Sequence, residues 1–496
     1  MGIVIKQSIK NTIITFIGFG IGAVNVLYMY PVFLGKEYLG LTNYILSAAN
    51  ILYPILSFGI QNTLIKFFNE NNKTEEDLSR YFTYMLLLPL FVIIPFFCLF
   101  FYFYENIALY ESNKNIIVYD FVWEIPLIAL FMGYFEIFYA WLRAHMKSVF
   151  GSFVKEVFVR VLVTISLFAV YFNYITLTEF VHSLVLIYGI SLLVIIYYAN
   201  KTKRIQLNKK LPKKTKEIFV FTIFIILSAS VANMLLDIDK YMINQFLKIE
   251  NIAFYSLAVY LAMVISVPQR AMHQITYPIT AKLMSENKWE ELDELYKKSS
   301  VTLQVIGGLI YIGILVNIKQ IYELLPDEGY DNGLFVVFTI GLSKYFDVVL
   351  GNNNSIIFNS KYYKMVLLLG VLLVFVVVGL NLIFIPKYGI NGAALATLIA
   401  IGLYSLAKLL FVVLKMKLFP FTKNTIVALI LTIVSFVVFY YWDFSFHPFV
   451  NIVLKSILVT IFYLGLSYYL KISSHHTSSS TSFPAPADHH LYPQIR

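Results

Sequence analysis

The chain alternates long apolar stretches with short polar connections along almost its whole length. The hydrocarbon core of a bilayer is about 30 Å thick, so a helix that crosses it needs roughly 20 apolar residues. About fourteen stretches of this length lie near residues 11–33, 41–65, 81–104, 117–141, 150–172, 178–199, 218–245, 252–279, 300–322, 333–358, 365–385, 390–414, 424–442 and 449–470. Their apolar residues are continuous rather than alternating, which is typical of membrane helices and not of membrane strands. The pattern predicts an all-α membrane protein of about 14 transmembrane helices.

The basic residues of the connections are distributed very unevenly between the two membrane faces. If the N-terminus is cytoplasmic, 25 Lys and Arg residues fall in the inner segments, and the outer loops hold only Lys36, Lys114, Lys248 and Lys387. The positive-inside rule therefore predicts that both termini are cytoplasmic. Eight of the inner residues lie between 201 and 216, next to anionic lipid headgroups. The net charge of +10 thus indicates contact with a membrane surface and not with nucleic acid.

The basic loop divides the spans into two halves of six, which enter the membrane in the same orientation, as in a parallel repeat. The predicted organisation is an N-lobe over 1–200, a basic loop over 201–217, a C-lobe over 218–415, and two further spans over 416–471. The tail 472–496 is rich in Ser, Pro and His and has no apolar periodicity. That composition predicts disorder and is typical of a vector-derived tag.

The overall composition supports a membrane transporter and offers no sign of an enzyme. Apolar residues make up 59% of the chain and charged residues 13%, with a mean hydropathy of +0.75, against about 25% charged residues in soluble proteins. A P-loop, an H-E-x-x-H helix, a CxxC pair and a G-x-S-x-G elbow are all missing from the sequence. We therefore expect no catalytic residues, no cofactor and no bound metal.

Polar residues follow one helical face in the first two spans of each half. The faces consist of Asn11, Thr15, Gly18, Gly22 and Asn25 in span 1; Asn43, Ser47, Asn50, Pro54, Ser57 and Gln61 in span 2; Ser230, Asn233, Asp237, Tyr241 and Asn244 in span 7; and Ser266, Arg270, Gln274 and Tyr277 in span 8. This predicts a central cavity between two bundles, lined by spans 1, 2, 7 and 8. The alternative is that these small and polar side chains join helices to one another.

Charged residues inside the spans are the strongest functional candidates, because lipid penalises charges that serve no purpose. Span 5 carries Lys155, Glu156 and Arg160, and span 10 carries Lys344 and Asp347. Their spacing of three or four residues is compatible with ion pairing within the helix or with cavity lining. Arg270 has no acidic neighbour on its own helix and is the leading candidate for binding an anion. Asp239, Lys319, Lys408 and Lys455 are expected to lie at the membrane interface or to snorkel towards it.

The complete set of predicted site residues has two parts. The substrate-binding candidates are Arg270, Arg160, Lys344, Lys155, Asn25, Asn50, Gln61 and Gln274. The ion-coupling candidates are Asp237, Glu156 and Asp347.

Three stretches give the chain a family resemblance over about residues 1–470. The first runs from Lys10-Asn11-Thr12 through Gly18 and Gly22 to Phe33-Leu34-Gly35-Lys36-Glu37-Tyr38-Leu39-Gly40, the second is Asp237-Ile238-Asp239-Lys240-Tyr241-Met242-Ile243 followed by Ala253-Phe254-Tyr255-Ser256-Leu257-Ala258, and the third is Ile385-Pro386-Lys387-Tyr388-Gly389-Ile390-Asn391-Gly392-Ala393-Ala394-Leu395-Ala396-Thr397. With them the chain resembles the polysaccharide-exporter branch of the multidrug/oligosaccharidyl-lipid/polysaccharide flippase superfamily.

The resemblance implies two six-helix lobes in a V around a central cavity, plus two C-terminal helices, working by alternating access. It implies a cargo of undecaprenyl-diphosphate-linked oligosaccharide, flipped across the bacterial inner membrane for polysaccharide, lipopolysaccharide or O-antigen synthesis. The expected partners are this lipid-linked cargo, membrane lipids and other polysaccharide-assembly proteins, around a monomeric chain. The alternatives are an ion-coupled multidrug or small-molecule antiporter of the same fold and a membrane enzyme of polysaccharide assembly.

Overall fold

The computed structural model describes residues 2–325 and 329–472. The side chains of residues 2–6, 8, 9, 224, 225, 227–236, 363 and 367 lie outside this description. Two predictions therefore fall outside the described part: the side chains of Ser230 and Asn233 in span 7, and the disordered tail over 473–496.

The described residues form helices joined by short connections. The α-helices are α1 (Gly2–Val24), α2 (Tyr30–Leu56), α3 (Ile60–Asn71), α4 (Glu75–Leu87), α5 (Leu90–Tyr102), α6 (Tyr104–Glu111), α7 (Glu124–Ala144), α8 (Ser148–Phe153), α9 (Val159–Tyr171), α10 (Leu177–Thr202), α11 (Thr215–Phe246), α12 (Glu250–Met263), α13 (Val267–Ser285), α14 (Trp289–Glu323), α15 (Leu334–Val349), α16 (Asn353–Asn359), α17 (Tyr363–Met416), α18 (Lys423–Tyr440) and α19 (Pro448–Tyr469). The predicted all-α membrane class is confirmed.

Ten helical segments in the described residues are long and apolar enough to cross a membrane. Two of these segments have 62 and 53 residues, far more than one crossing needs, and each contains a non-helical glycine. Gly35 has a φ of 66° and Gly389 a φ of 61°, a backbone region that glycine adopts without a side-chain clash. Both segments bend sharply there, as two spans with almost no loop would. The number fourteen stays a prediction.

Three further interruptions shape the helices. A 3₁₀ turn over Val264–Ser266 separates α12 from α13. It lies where the ring of Pro268 would meet the carbonyl group four residues earlier, a position at which proline interrupts a regular α-helix. Two π-helical turns, over Asn25–Met29 and Val154–Phe158, precede α2 and α9. Such turns break the regular hydrogen-bond ladder and are frequent at functional sites.

Extensive packing connects α2 and α11 with each other and with further helices. α2 packs against α7, α11 and α12, while α11 also packs against α17. The last two helices, α18 and α19, pack against α14 around a separate apolar cluster that includes Val305, Ile312 and Tyr463. We call the helices over 2–202 the first set and those over 215–416 the second set; the predicted division into two lobes at these limits stays a prediction.

The helix bundle has two ends that differ in charge. The basic end holds Lys66 and the loop over 201–216, which meet where Lys214 binds Glu70 at 2.8 Å. The opposite end holds the bends at Gly35 and Gly389 and the C-terminal end of α6.

Candidate functional site

A cavity of about 280 Å³ lies among the helices of the first set and reaches α11 of the second. It is lined by Asn50, Tyr53, Met132, Phe135, Glu136, Lys155, Glu156, Val159, Arg160, Tyr188, Ser191 and Asp237. We call it the first-set cavity. Five predicted site residues meet here: Asn50, Lys155, Glu156, Arg160 and Asp237.

The charges that line this cavity balance one another. Lys155 contacts Glu136 at 2.5 Å, and Arg160 contacts Glu156 at 3.4 Å on the same helical face. Asp237 is buried; it accepts hydrogen bonds from Lys240 at 2.8 Å and from Ser47 of α2 at 3.0 Å. Each carboxylate therefore has a cation within ion-pair distance, so the cavity offers polar groups without a net charge. The predicted pairing of Glu156 with Arg160 is confirmed.

Close approach of α1 fixes the position of Arg160. A methyl group added at Gly18 would lie 2.4 Å from the backbone oxygen of Glu156 and 2.8 Å from Nη1 of Arg160. A methyl group at Gly22 would lie 3.2 Å from Nε of Arg160 and 3.1 Å from the hydroxyl of Tyr260. The small residues of span 1 thus let α1 lie between α9 and α12.

The polar face of span 1 serves helix packing. Asn25 is buried; its amide donates to the Arg160 carbonyl oxygen at 3.3 Å and its Oδ1 accepts from Thr164 at 2.9 Å. Asn11 donates to Ser148 at 2.9 Å. Asn11 and Asn25 therefore join helices to one another, which was the alternative to lining a cavity. Of the four spans predicted to line a cavity, α2 and α11 are the two whose described side chains line the first-set cavity. The polar face of α1 turns instead towards α8 and α9.

A second group of charges lies between α13, α15 and α17. Lys408, whose side chain is almost completely buried, donates to Asp347 at 2.9 Å and to Asn354 at 3.1 Å. The Gln269 amide donates to the Asp347 carboxylate at 3.3 Å. The prediction that Asp347 pairs with Lys344 is therefore wrong. Its carboxylate pairs instead with Lys408, which comes from a distant segment of the chain.

Arg270 and Lys344 give this second group an excess of positive charge. Lys344 lies within electrostatic range of Arg270, of Asp347 and of Asp239. Within residues 2–325 and 329–472, neither Arg270 nor Lys344 forms an ion pair or a side-chain hydrogen bond. Arg270 is exposed on α13. Lys408, Lys344 and Arg270 thus lie near two carboxylates, Asp347 and Asp239, which leaves an excess of positive charge suited to an anion.

The two remaining predicted residues lie apart from both groups. Gln61 is buried at the start of α3 and accepts from Ser57 at 3.3 Å, which is a local packing contact. Gln274 on α13 accepts from Thr12 of α1 at 2.8 Å. This bond joins the two helix sets towards the basic end.

Asp239 is a buried carboxylate that the sequence interpretation misplaced. It was expected at the membrane interface, but it is 4% exposed and accepts from Tyr255 at 2.5 Å, Asn381 at 2.7 Å and Thr397 at 2.6 Å. These three donated hydrogen bonds satisfy the buried carboxylate and tie α11 to α12 and α17. Lys408 and Lys455, also expected at the interface, are each 1% exposed and bound to Asp347 and Asp443.

A network at the opposite end joins the two helix sets, and sequence reasoning missed it. Glu111 at the end of α6 accepts hydrogen bonds from Tyr44 at 2.5 Å, Tyr241 at 2.7 Å and Gln245 at 2.6 Å. Asn115 donates to Asn244 at 2.9 Å and accepts from the backbone N–H of Ile249 at 2.7 Å. The polar face of span 7 had marked Tyr241 and Asn244 as candidates for polar contacts. Nothing in the sequence marked Glu111, a single glutamate that follows a span.

The sequence over residues 4–284, more than half of the chain, matches the family described as polysaccharide biosynthesis protein. The chain belongs to this family. The resemblance inferred from the sequence is thereby confirmed, and the first-set cavity lies wholly within the matched residues of the polysaccharide biosynthesis family. A search of curated proteins finds no match.

Solved structures of transporters share the fold of this family member. A structure described as lipid II flippase MurJ in an inward closed conformation matches with a TM-score of 0.74 and 16% identity, covering 94% of this chain and 100% of the other. An inward-facing multidrug resistance transporter of the MATE family, in the MOP superfamily, matches with a TM-score of 0.61 and 12% identity over 80% of this chain and 94% of the other. An outward-facing multidrug resistance transporter of the MATE family matches with a TM-score of 0.58 and 13% identity, covering 83% of this chain and 96% of the other. At these identities the similarity establishes the fold.

Proposed function

We propose that this protein flips an oligosaccharide linked to undecaprenyl diphosphate from the cytoplasmic to the periplasmic leaflet of a bacterial inner membrane. The cargo feeds the assembly of a surface polysaccharide, such as O-antigen or another repeat-unit polymer, and other polysaccharide-assembly proteins supply and use it. The protein acts as a monomer and is not an enzyme. Membership in the polysaccharide biosynthesis family and the fold shared with a lipid II flippase support this choice.

The observation that carries the proposal is the uncompensated charge of Arg270 and Lys344. A diphosphate must cross a region of low dielectric, where a nearby cation lowers its free energy far more than in water. Asp347 is already occupied by Lys408, so it does not cancel the other two cations. The guanidinium of Arg270 can bind phosphate oxygens in a bidentate manner, which a lysine cannot.

Transport proceeds by alternating access, with the helix sets separating first at one end and then at the other. The described residues join the sets at both ends, through Thr12 and Gln274 towards the basic end and through Glu111 at the opposite end. For a cargo to enter at one end and leave at the other, the contacts at the two ends must open one after the other. In the absence of a nucleotide-binding motif, an ion gradient, the membrane potential or the cargo gradient supplies the energy, with Asp237, Glu156 and Asp347 as the ion-responsive groups.

The membrane orientation is part of the proposal. The basic end faces the cytoplasm together with both termini, because 25 basic residues lie in the loops on that side. Reporter fusions at Lys209 measure this directly: a cytoplasmic reporter should be active there and a periplasmic one silent. A periplasmic signal at Lys209 would invert the direction of transport proposed here.

The ion-coupled multidrug antiporter is the alternative, and the fold shared with MATE transporters is compatible with it. A cationic drug would need a free carboxylate, whereas the three carboxylates of the first-set cavity are each paired with a cation. The geometry therefore favours an anionic cargo.

The decisive experiment measures flipping per inserted molecule in sealed vesicles that hold a lipid-linked oligosaccharide. Arg270→Ala should reduce the rate at least tenfold at normal abundance, and Arg270→Lys should restore it in part, because charge returns without the fork of donors. Lys319→Ala is the control, since it removes an exposed cation that lies over the ring of Tyr440. Normal flipping by Arg270→Ala would refute the anion site.

A further inference from the structure

A second, larger cavity lies at the basic end, between α3 of the first helix set and the start of α11 of the second. Its volume is about 760 Å³, and it is open to the surroundings. It is lined by Lys66, Phe67, Lys213, Lys214, Thr215, Lys216, Glu217, Val220 and Phe221. We call it the basic-end cavity. None of these residues takes part in the site described above.

Two of the four lysines in this cavity are neutralised by acidic residues, and two are not. Lys213 contacts Asp77 at 3.5 Å, and Lys214 contacts Glu70 at 2.8 Å and Glu217 at 3.5 Å. In the part of the chain that the structure describes, Lys66 and Lys216 have no carboxylate within 4 Å. Glu217, the single acidic residue in the lining, is already held by Lys214. The cavity therefore has a net positive charge.

An aromatic ring fixes one of the free ammonium groups. Nζ of Lys66 lies 3.7 Å from the ring centroid of Phe221 and 5.4 Å from that of Phe67. A cation over a ring face is held electrostatically without losing its charge. Lys66 comes from α3 and Lys216 from α11, so a bound anion would contact both helix sets.

The apolar surface next to the cavity matches the rest of a lipid molecule. Phe219, Val220 and Ile223, on the first two turns of α11, are 38%, 43% and 42% exposed. α11 runs from the basic end into the predicted membrane region, so we infer that these exposed side chains meet lipid hydrocarbon. A headgroup held by the lysines would place its acyl chains along them. A free inorganic anion would gain nothing from this surface.

We propose that the basic-end cavity binds the headgroup of an anionic phospholipid, with the phosphate between Lys66 and Lys216 and the acyl chains along the start of α11. Basic pockets between membrane helices bind such headgroups. The bound lipid bridges α3 and α11 at the point where the chain passes from the first helix set to the second. It therefore strengthens the contact between the sets at the basic end, and this holds whatever cargo the protein carries.

The test uses the purified full chain in detergent, titrated with phosphatidylglycerol, phosphatidylcholine or inorganic phosphate and examined by native mass spectrometry. The unsubstituted protein should retain phosphatidylglycerol in preference to phosphatidylcholine, and a large excess of phosphate should not displace it. Lys66→Gln/Lys216→Gln should weaken retention by about 30-fold, the effect of two lysines near an anionic surface. Phosphatidylglycerol should raise the melting temperature of the unsubstituted chain and not that of this variant.

The matched control is Lys288→Gln/Lys298→Gln, which also removes two positive charges. Both lysines are paired with acidic residues, Lys288 with Glu291 at 3.3 Å and Lys298 with Glu294 at 2.5 Å. The control variant should retain phosphatidylglycerol with an affinity within twofold of that of the unsubstituted chain. If both double variants lost the lipid equally, the lipid would be held by general attraction to a basic surface and not by this cavity, which would overturn the proposal. Unchanged retention by Lys66→Gln/Lys216→Gln, or displacement of the lipid by phosphate alone, would overturn the proposal.

Discussion

The ammonium group of Lys408 binds the carboxylate of Asp347 at 2.9 Å and ties α17 to α15 inside the membrane. The lysine side chain is 2% exposed and that of the aspartate 28%, so both charges are largely withdrawn from solvent. Because Lys408 neutralises Asp347, this carboxylate does not compensate the charge of Lys344. The excess positive charge beside Arg270 follows from it.

The first prediction concerns the stability of this pair. Lys408→Met should destabilise the protein by up to about 3 kcal/mol, because it leaves the partly buried carboxylate of Asp347 without the cation that it contacts. Lys408→Met/Asp347→Leu should recover much of the loss, since neither member of the ion pair is then left without the other. Thermal unfolding of the purified variants gives the comparison. A double variant as unstable as the single one would show that the lysine acts through packing.

Lys344 should behave in the opposite way. Removing it leaves no unpaired carboxylate, because Asp347 keeps Lys408, so Lys344→Met should insert and melt like the unsubstituted protein. Flipping per inserted molecule should fall roughly tenfold, the value of about 1.4 kcal/mol of lost anion stabilisation. The paired measurement of melting temperature and flipping rate separates the two roles. A loss of stability equal to that of Lys408→Met would contradict the assignment.

The glycines of α1 allow a controlled test of helix packing. Gly18→Ala places a methyl group 2.4 Å from a backbone oxygen of the π-helical turn before α9, so one of the two helices must move. We expect a cost of about 1–3 kcal/mol, as for other overpacked sites. Gly20→Ala is the matched control, because a methyl group there has no described neighbour within 4 Å. Equal melting temperatures for the two variants would mean that α1 is free to shift away from α9.

Glu111 should hold the opposite end closed. It accepts bonds from Tyr241 and Gln245 of the second helix set, so Glu111→Ala removes two contacts between the sets at once. In a Cys98→Ser background, a cysteine placed at Ala48 should react several-fold faster with a membrane-impermeant thiol reagent once Glu111 is replaced. Glu105→Ala on the same helix is the control. An unchanged reaction rate would show that other contacts keep this end closed.

The pair of Asp443 and Lys455 should make stability depend on pH in the acidic range. A hydrogen bond from Lys455 and its positive charge hold the pKa of Asp443, in the connection before α19, below its usual value. A carboxyl group with a lowered pKa stabilises the fold above its unfolded pKa of about 3.9, and this contribution is lost as the pH falls through the folded pKa. Since the Asp443 side chain is 46% exposed, the contribution is about 1 kcal/mol or less.

Asp443→Asn provides the measurement for this pair. Its melting temperature should lie below that of the unsubstituted protein at pH 7, and the difference should shrink towards pH 3, as the carboxyl of Asp443 begins to take up a proton. A difference that stays constant between pH 7 and pH 3 would assign the effect to the hydrogen bonds from Gln320 and Lys455 and not to charge.

The pairing of charges shows where sequence reasoning stops. The bond between Arg160 and Glu156 was predictable, because residues four apart on one helix face the same side. The bonds of Asp239 to Asn381 and Thr397 span 142 and 158 residues, and no local pattern connects such positions. An Asp near the end of a span is equally compatible with the interface and with the core. The expectation at the interface was wrong because the choice depends on which helix packs against it.

The sequence by itself determined that the chain is helical and embedded in a membrane, approximately where its helices lie and how its basic residues divide between the two ends. These properties follow from local hydropathy and loop charge, which act without reference to distant residues. Only the tertiary structure decided that Glu136 and Tyr188 join Lys155 and Arg160 around a cavity, that Asn25 joins helices, and that Lys408 neutralises Asp347. Each of these depends on the rotation of one helix against another, which side-chain packing across the whole bundle sets and no single span encodes.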